Sequence, residues 1–175
     1  EDILVTTGFE RDVQDADIAN ELENARRERR LTDAQALALR AKFPKLSQPN
    51  LAFRNLGHFQ FAEASKEWGF DETSVAQGMA LADLDGDGDL DLVVNNMNGP
   101  ASVYRNETSQ PRIAVSLKGA GKNSSGIGAK IKVLGGAVPS QQQEVQAGGR
   151  YLSGDQALRG FAAGDPTNRL SIQVL

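Results

Sequence analysis

The chain has 175 residues, a net charge of −4, a single histidine and no cysteine. That length can bury one or two modest cores. Its acid excess argues against a nucleic-acid partner, the missing cysteines exclude disulfides and thiolate chemistry, and one histidine cannot anchor a nucleophilic relay or a zinc site. No apolar run approaches the roughly eighteen residues of a membrane span, and no signal peptide or lipidation motif is present, although a piece of a longer protein would lack its leader in any case.

In chain order, Asp2-Ile3-Leu4-Val5-Thr6 parallels the later Asp91-Leu92-Val93-Val94-Asn95, so residues 1–9 read as the end of a repeat unit. A helical hairpin is predicted within residues 10–50. Val13, Ile18, Leu22 and Ala25 form a weak apolar stripe through a first helix over Asp15 to Arg30. A second helix starts at Thr32, which has capping-box spacing to Gln35, runs through Leu37, Leu39 and Phe43, and stops at Pro44. Arg26, Arg27, Arg29 and Arg30 suggest a nucleic-acid patch, but Glu21, Glu23 and Glu28 are interleaved with them. A solvated, salt-bridged helix face is the better expectation.

Residues 51–108 read as strands. Phe59, Phe61 and Ala64 are expected to face one way, with His58 in a turn and Trp68 packed against Phe61 and Phe70. Ala52-Phe53-Arg54-Asn55 echoes Val103-Tyr104-Arg105-Asn106, a spacing within the range of repeat architectures.

Between these echoes lies Asp83-Leu84-Asp85-Gly86-Asp87-Gly88-Asp89-Leu90-Asp91, five carboxylates on alternate positions with no basic residue near enough to neutralise them. Like charges this close disfavour a compact turn unless pKa values rise or a hard divalent ion binds. Calcium fits better than magnesium, because it accepts six to eight oxygens in flexible geometry. An EF-hand starting at Asp83 places Gly88 correctly but puts Val94, inside a β-branched run, where a bidentate glutamate is required. The expected ligands are the side chains of Asp83, Asp85, Asp87 and Asp91 and the main-chain carbonyl of Asp89, with Gly86 and Gly88 permitting a left-handed path.

From Pro111 onward, Ile113/Val115/Leu117, Ala129/Ile131/Val133 and Leu170/Ile172/Val174 alternate with polar residues, predicting a small all-β sandwich or barrel over residues 109–175. The glycine-rich stretch Gly119 to Gly128 lacks the Gly-Lys-Ser/Thr order and the following helix of a phosphate-binding loop, and is expected to connect a hairpin. Ser124-Ser125-Gly126 and Ser153-Gly154-Asp155 are turn compositions, and no Gly-x-Ser-x-Gly elbow occurs.

The run Gln77 to Val94 followed by Val103-Tyr104-Arg105-Asn106 resembles the FG-GAP/VCBS repeat, the blade unit of calcium-binding β-propellers such as the integrin α-subunit head. Downstream, Asn123 to Val133 and Gln143 to Ser153 resemble the ASPIC/UnbV domain, which in that family follows such repeats. One departure is Gly160-Phe161-Ala162-Ala163-Gly164, where the resemblance implies a Gly-Leu-Gly-like turn. The fold expected is mainly β: propeller-blade strands with an inserted helical hairpin, then a small all-β domain, as a fragment of a larger repeat protein, since one blade cannot close a ring.

The function expected is a non-catalytic, calcium-stabilised extracellular or cell-surface adhesion module with a protein or glycan ligand. Further propeller repeats of the same parent chain would be its other partners, without membrane insertion. The resemblance implies an extracellular, periplasmic or outer-surface location, and the absence of disulfides suggests a bacterial source. An accessory domain of a secreted polysaccharide-acting enzyme is the alternative. A calcium sensor is disfavoured because the helix pair that would open is missing.

Overall fold

The computed structural model describes residues 2–28, 31–46 and 48–175, and is mainly β with two helices. Two compact units divide it: residues 1–77 with 97–99, and residues 78–96 with 100–175.

In the first unit, β1 (Ile3–Val5), β2 (Leu51–Gly57) and β3 (Gln60–Glu63) form an antiparallel sheet in that order, with Ile3 opposite Phe53 and Val5 opposite Leu51. Ala52, Ala64, Phe70 and Ala76 are buried, and the three alanines let strands and turns approach closely. The buried Ser65 hydroxyl accepts from the Ala52 amide at 2.8 Å.

The helical insertion lies between β1 and β2, as expected. Helix α1 (Ala16–Arg27) is capped by Asp15, whose carboxylate accepts from the Ile18 amide, and α2 (Asp33–Arg40) by Thr32 in a complete capping box with Gln35. Both helices end earlier than predicted. Phe43 lies beyond α2 and is buried in the connection, where Arg11 donates from Nη1 to the carbonyls of Ala41 and Phe43 and so closes the base of the insertion. Leu37, which lies within the second predicted helix, is exposed. Arg27 pairs with Glu23 at 3.0 Å and Lys42 with Glu21 at 2.6 Å, the solvated pairing expected of this face. Arg29 and Arg30 lie outside the described residues.

The β2–β3 connection corrects the predicted strand. A bulge between Asn55 and Gly57 shifts the register, so His58 and Phe59 form the turn with φ of +51° and +60°. Phe59 therefore projects from the tip, 99% exposed, instead of lining a sheet face, and Phe61 is also exposed. Two successive positive φ angles match a type I′ turn, which favours Asn-Gly. Replacing His58-Phe59 with Asn-Gly is expected to raise stability by about 1–2 kcal/mol, read as a higher midpoint in urea unfolding. Trp68, expected in the core, is half-buried beneath the Arg54 guanidinium, which sits 5.4 Å from its ring centroid.

In the second unit, β4 (Ala76–Ala82), which starts at the boundary, β5 (Asp91–Asn96) and β6 (Ser102–Tyr104) form one sheet. The remainder is a sandwich of two sheets. One pairs β7 (Arg112–Ser116) with β12 (Leu158–Ala162); the other places β8 (Lys130–Leu134) between β9 (Ser140–Glu144) and β13 (Ser171–Val174). A two-residue ladder of β10 (Gly149–Arg150) and β11 (Ser153–Gly154) lies before β12. Ile131, Val133, Val145 and Phe161 form the core, with Ile113, Val115, Leu117, Ala157 and Leu170 against it.

Three local expectations fail here. Ile172 and Val174 are 49% and 55% exposed, because β13 is an edge strand and only Leu170 of that alternating set reaches the core. The Gly119–Gly128 stretch does not join a hairpin, since β7 pairs with β12 and the stretch carries the chain from one sheet to the other. It is a tight turn: a Cβ on Gly119 would lie 2.0 Å from the Asn123 carbonyl oxygen, and the Asn123 side chain bonds both the amide and the carbonyl of Ile127. The anticipated turn at Gly160 is instead β12, which runs to Ala162; the chain reverses at Gly164, whose φ is +75°.

Candidate metal centre

Strands β4 and β5 are joined by the acidic loop, and its backbone is wound by its own carboxylates. Asp83 accepts the Gly86 amide on one oxygen at 2.8 Å and the Gly88 amide on the other at 3.1 Å. Asp85 accepts from the Asp87 amide, and Asp87 from the Asp89 amide. These short Asx-type bonds tighten the path that Gly86 and Gly88 make sterically accessible, at φ of +80° and +89°.

Asp91, 2% exposed at the start of β5, holds the loop to the sheet. Its Oδ2 accepts from the Leu84 amide and its Oδ1 from the Asn106 amide, each at 2.8 Å. At the other end, the Asp155 carboxylate accepts the Leu81 amide at 2.9 Å and the Gln156 side chain accepts the Asp83 amide at 2.8 Å. Arg150 orients Asp155, donating from Nε to both of its oxygens. Sequence reasoning missed Asp155 and Gln156, because they are over seventy residues away from their partners.

The five aspartates divide into two groups. One oxygen each from Asp83, Asp85 and Asp91 lies within 4.8 Å of the others, so these three can hold a metal ion. Oxygens bound to one calcium at about 2.4 Å can be separated by up to about 4.8 Å, so the spacing fits that donor chemistry. Asp87 and Asp89 are engaged elsewhere: Arg112 Nη2 lies 3.0 Å from Asp87 Oδ2 and 2.9 Å from Asp89 Oδ2. The expectation that no basic residue neutralises the loop is thereby corrected, since the fold supplies a guanidinium from β7.

The hydrogen bond from the Asp89 amide holds the Asp87 carboxyl below its ordinary range, with the Arg112 charge adding to the effect. Burial pushes Asp89 up, and the charges of Asp87 and Asp91 add to that, while Arg112 opposes it. Asp89 is 5% exposed, and Arg112 meets its Oδ2 as a charge without directing a hydrogen bond onto either carboxylate oxygen. His58 is exposed, in the turn of the other unit.

The first unit contains a matching local arrangement. Asp2 Oδ1 accepts from the Asn55 amide at 2.7 Å, as Asp91 Oδ1 accepts from Asn106. The registers correspond as well: Ile3 opposes Phe53 where Leu92 opposes Tyr104, and Leu4 opposes Ala52 where Val93 opposes Val103. Both sequence echoes therefore coincide with one structural arrangement, an aspartate at the head of a strand clamping the far end of its antiparallel partner.

Two curated relatives share a segment with this chain. Cartilage acidic protein 1 of Homo sapiens is 40% identical over 57 residues, and its Mus musculus counterpart 39% over 57 residues. The match covers 32% of this chain and spans 9% of the length of each relative. Both are mammalian and lend no support to a bacterial source. The FG-GAP repeat family matches residues 75–110, the segment that bears β4, the acidic loop, β5 and β6.

Proposed function

We propose that this chain is part of a non-catalytic extracellular or cell-surface binding module in which calcium stabilises the FG-GAP repeat. The carrying observation is the three-carboxylate pocket of Asp83, Asp85 and Asp91 inside a loop already wound into a ligand-presenting turn. The main-chain carbonyl of Asp89 would add a further ligand, while Asp87 stays paired with Arg112. The bound ion supplies charge compensation and no chemistry, so its role is to hold the loop and the strands it joins. Extracellular calcium is abundant enough to fill a structural site with a dissociation constant on the order of 10⁻⁴ to 10⁻³ M, which favours this location.

Residues 109–175, with their sandwich core, are proposed as an ASPIC/UnbV-like domain, and residues 10–50 as an insertion in the preceding repeat. Partners are proposed as an extracellular protein or glycan and further repeats of the parent chain. Among the described residues no helix is long and apolar enough to cross a membrane.

The test is thermal unfolding in calcium, in magnesium and in chelator, with Asp85→Asn as the variant. Asp85 is exposed, and asparagine retains the acceptor for the Asp87 amide, so the fold is left intact while a ligand charge is removed. Calcium is expected to raise the melting temperature more than magnesium does, and D85N to lose most of that gain. An unchanged melting temperature in all three conditions would overturn the calcium assignment.

A further inference from the structure

Five carboxylates crowd nine residues, yet only three of them share a pocket. The other two meet one guanidinium. Arg112 belongs to β7, which pairs with the core strand β12, and its side chain is 22% exposed while that of Asp89 is 4% exposed. Solvent screens such a contact weakly, so the attraction is stronger than at a surface pair. Arg112 is also anchored, because Nη1 donates to the Thr108 carbonyl. One nitrogen, Nη2, meets both carboxylates while Nη1 is held by Thr108, so the rigid guanidinium plane fixes the charge in place where a lysine ammonium would not be anchored.

We propose that Arg112 is a resident counter-ion of the loop, a positioning residue that keeps the acidic turn folded before any divalent ion arrives. It ties Asp87 and Asp89 together at the side of the loop facing β7, and leaves Asp83, Asp85 and Asp91 as an open anionic pocket. The ion then enters a formed site instead of having to fold one. The β domain grips the loop a second time through Asp155 and Gln156, so formation of the site depends on that domain being folded. This inference rests on the calcium assignment made above.

The experiment measures melting temperature of the full chain, wild type, Arg112→Gln and Arg112→Lys, in chelator and in millimolar calcium, with a calcium titration of each by calorimetry. In chelator, R112Q leaves Asp87 and the buried Asp89 without their cation, and the loss is partly offset when calcium lends the loop positive charge. The calcium-dependent gain in melting temperature is therefore expected to be larger in R112Q than in wild type by about 5 °C. R112K, which keeps the charge and loses the fork, should fall between them and serves as the reading if R112Q does not fold. An equal drop in calcium and in chelator would make Arg112 a plain ion pair and overturn the proposal, as would no drop at all. A wild type that ignores calcium while R112Q responds overturns the native calcium site but retains Arg112 as the resident cation. If neither responds, both fall.

Discussion

Replacing Asp91 with alanine is expected to destabilise the second unit by about 3–5 kcal/mol in chelator and to abolish any calcium response. The carboxylate is buried and accepts two amides, from Leu84 and Asn106, that would be left without acceptors. Hydrogen bonds to a charged group contribute about 1.5–3 kcal/mol each, and leaving these part-buried amides unpaired adds a smaller desolvation penalty. Asp91→Asn separates the two roles. Its single amide oxygen can keep one of the two bonds, so part of the stability should return, while the lost charge still weakens the ion site. Urea unfolding of both variants, with and without calcium, checks this; a D91A protein as stable as wild type would show that the strand end is not clamped as described.

The second large effect is expected at Phe161. It is 2% exposed at the centre of the sandwich, against Ile131, Val133 and Val145, and truncation to alanine should cost about 3–5 kcal/mol through lost burial and an unfilled cavity. The consequence reaches the ion site. Phe161 lies on β12 opposite Ile113 of β7, the residue after Arg112 in the chain, and β12 begins two residues after Gln156. Loosening this strand pair is expected to release both holds on the acidic loop, so F161A should bind calcium several-fold more weakly although it touches no ligand. Phe161→Leu keeps most of the volume and should retain most of the stability and affinity. Calorimetric titration of the two variants decides: unchanged affinity in a destabilised F161A would mean that the loop folds independently of the β domain.

These effects show why some features were legible in the sequence and others were not. Caps, left-handed glycines and alternating strands are local, set by a few neighbouring residues. Thr32 with Gln35, Gly86 and Gly88, and Ile131 with Val133 all behave as their immediate sequence dictates. Repeats are equally accessible, because equivalent residues must meet equivalent geometry, as Asp2 with Asn55 and Asp91 with Asn106 do.

Alternation alone did not say how far each strand is covered. Ile172 and Val174 carry the same pattern as Ile131 and Val133, but β13 is an edge strand and β8 a central one, so burial differs. Hairpin register likewise depended on a single bulge, which moved Phe59 from a sheet face to a turn tip.

The sequence by itself determined that the chain is mainly β, that a helical segment separates its first strand from the next, and that an acidic loop capable of binding a cation leads straight into a strand. Only the tertiary structure decided how the loop's charges are divided. Asp83, Asp85 and Asp91 converge, whereas Asp87 and Asp89 meet Arg112 and the loop's first strand is held by Asp155 and Gln156. The physical reason is range: an Asx turn is closed by residues two to five positions apart, but a buried counter-charge can come from any strand that the core brings alongside.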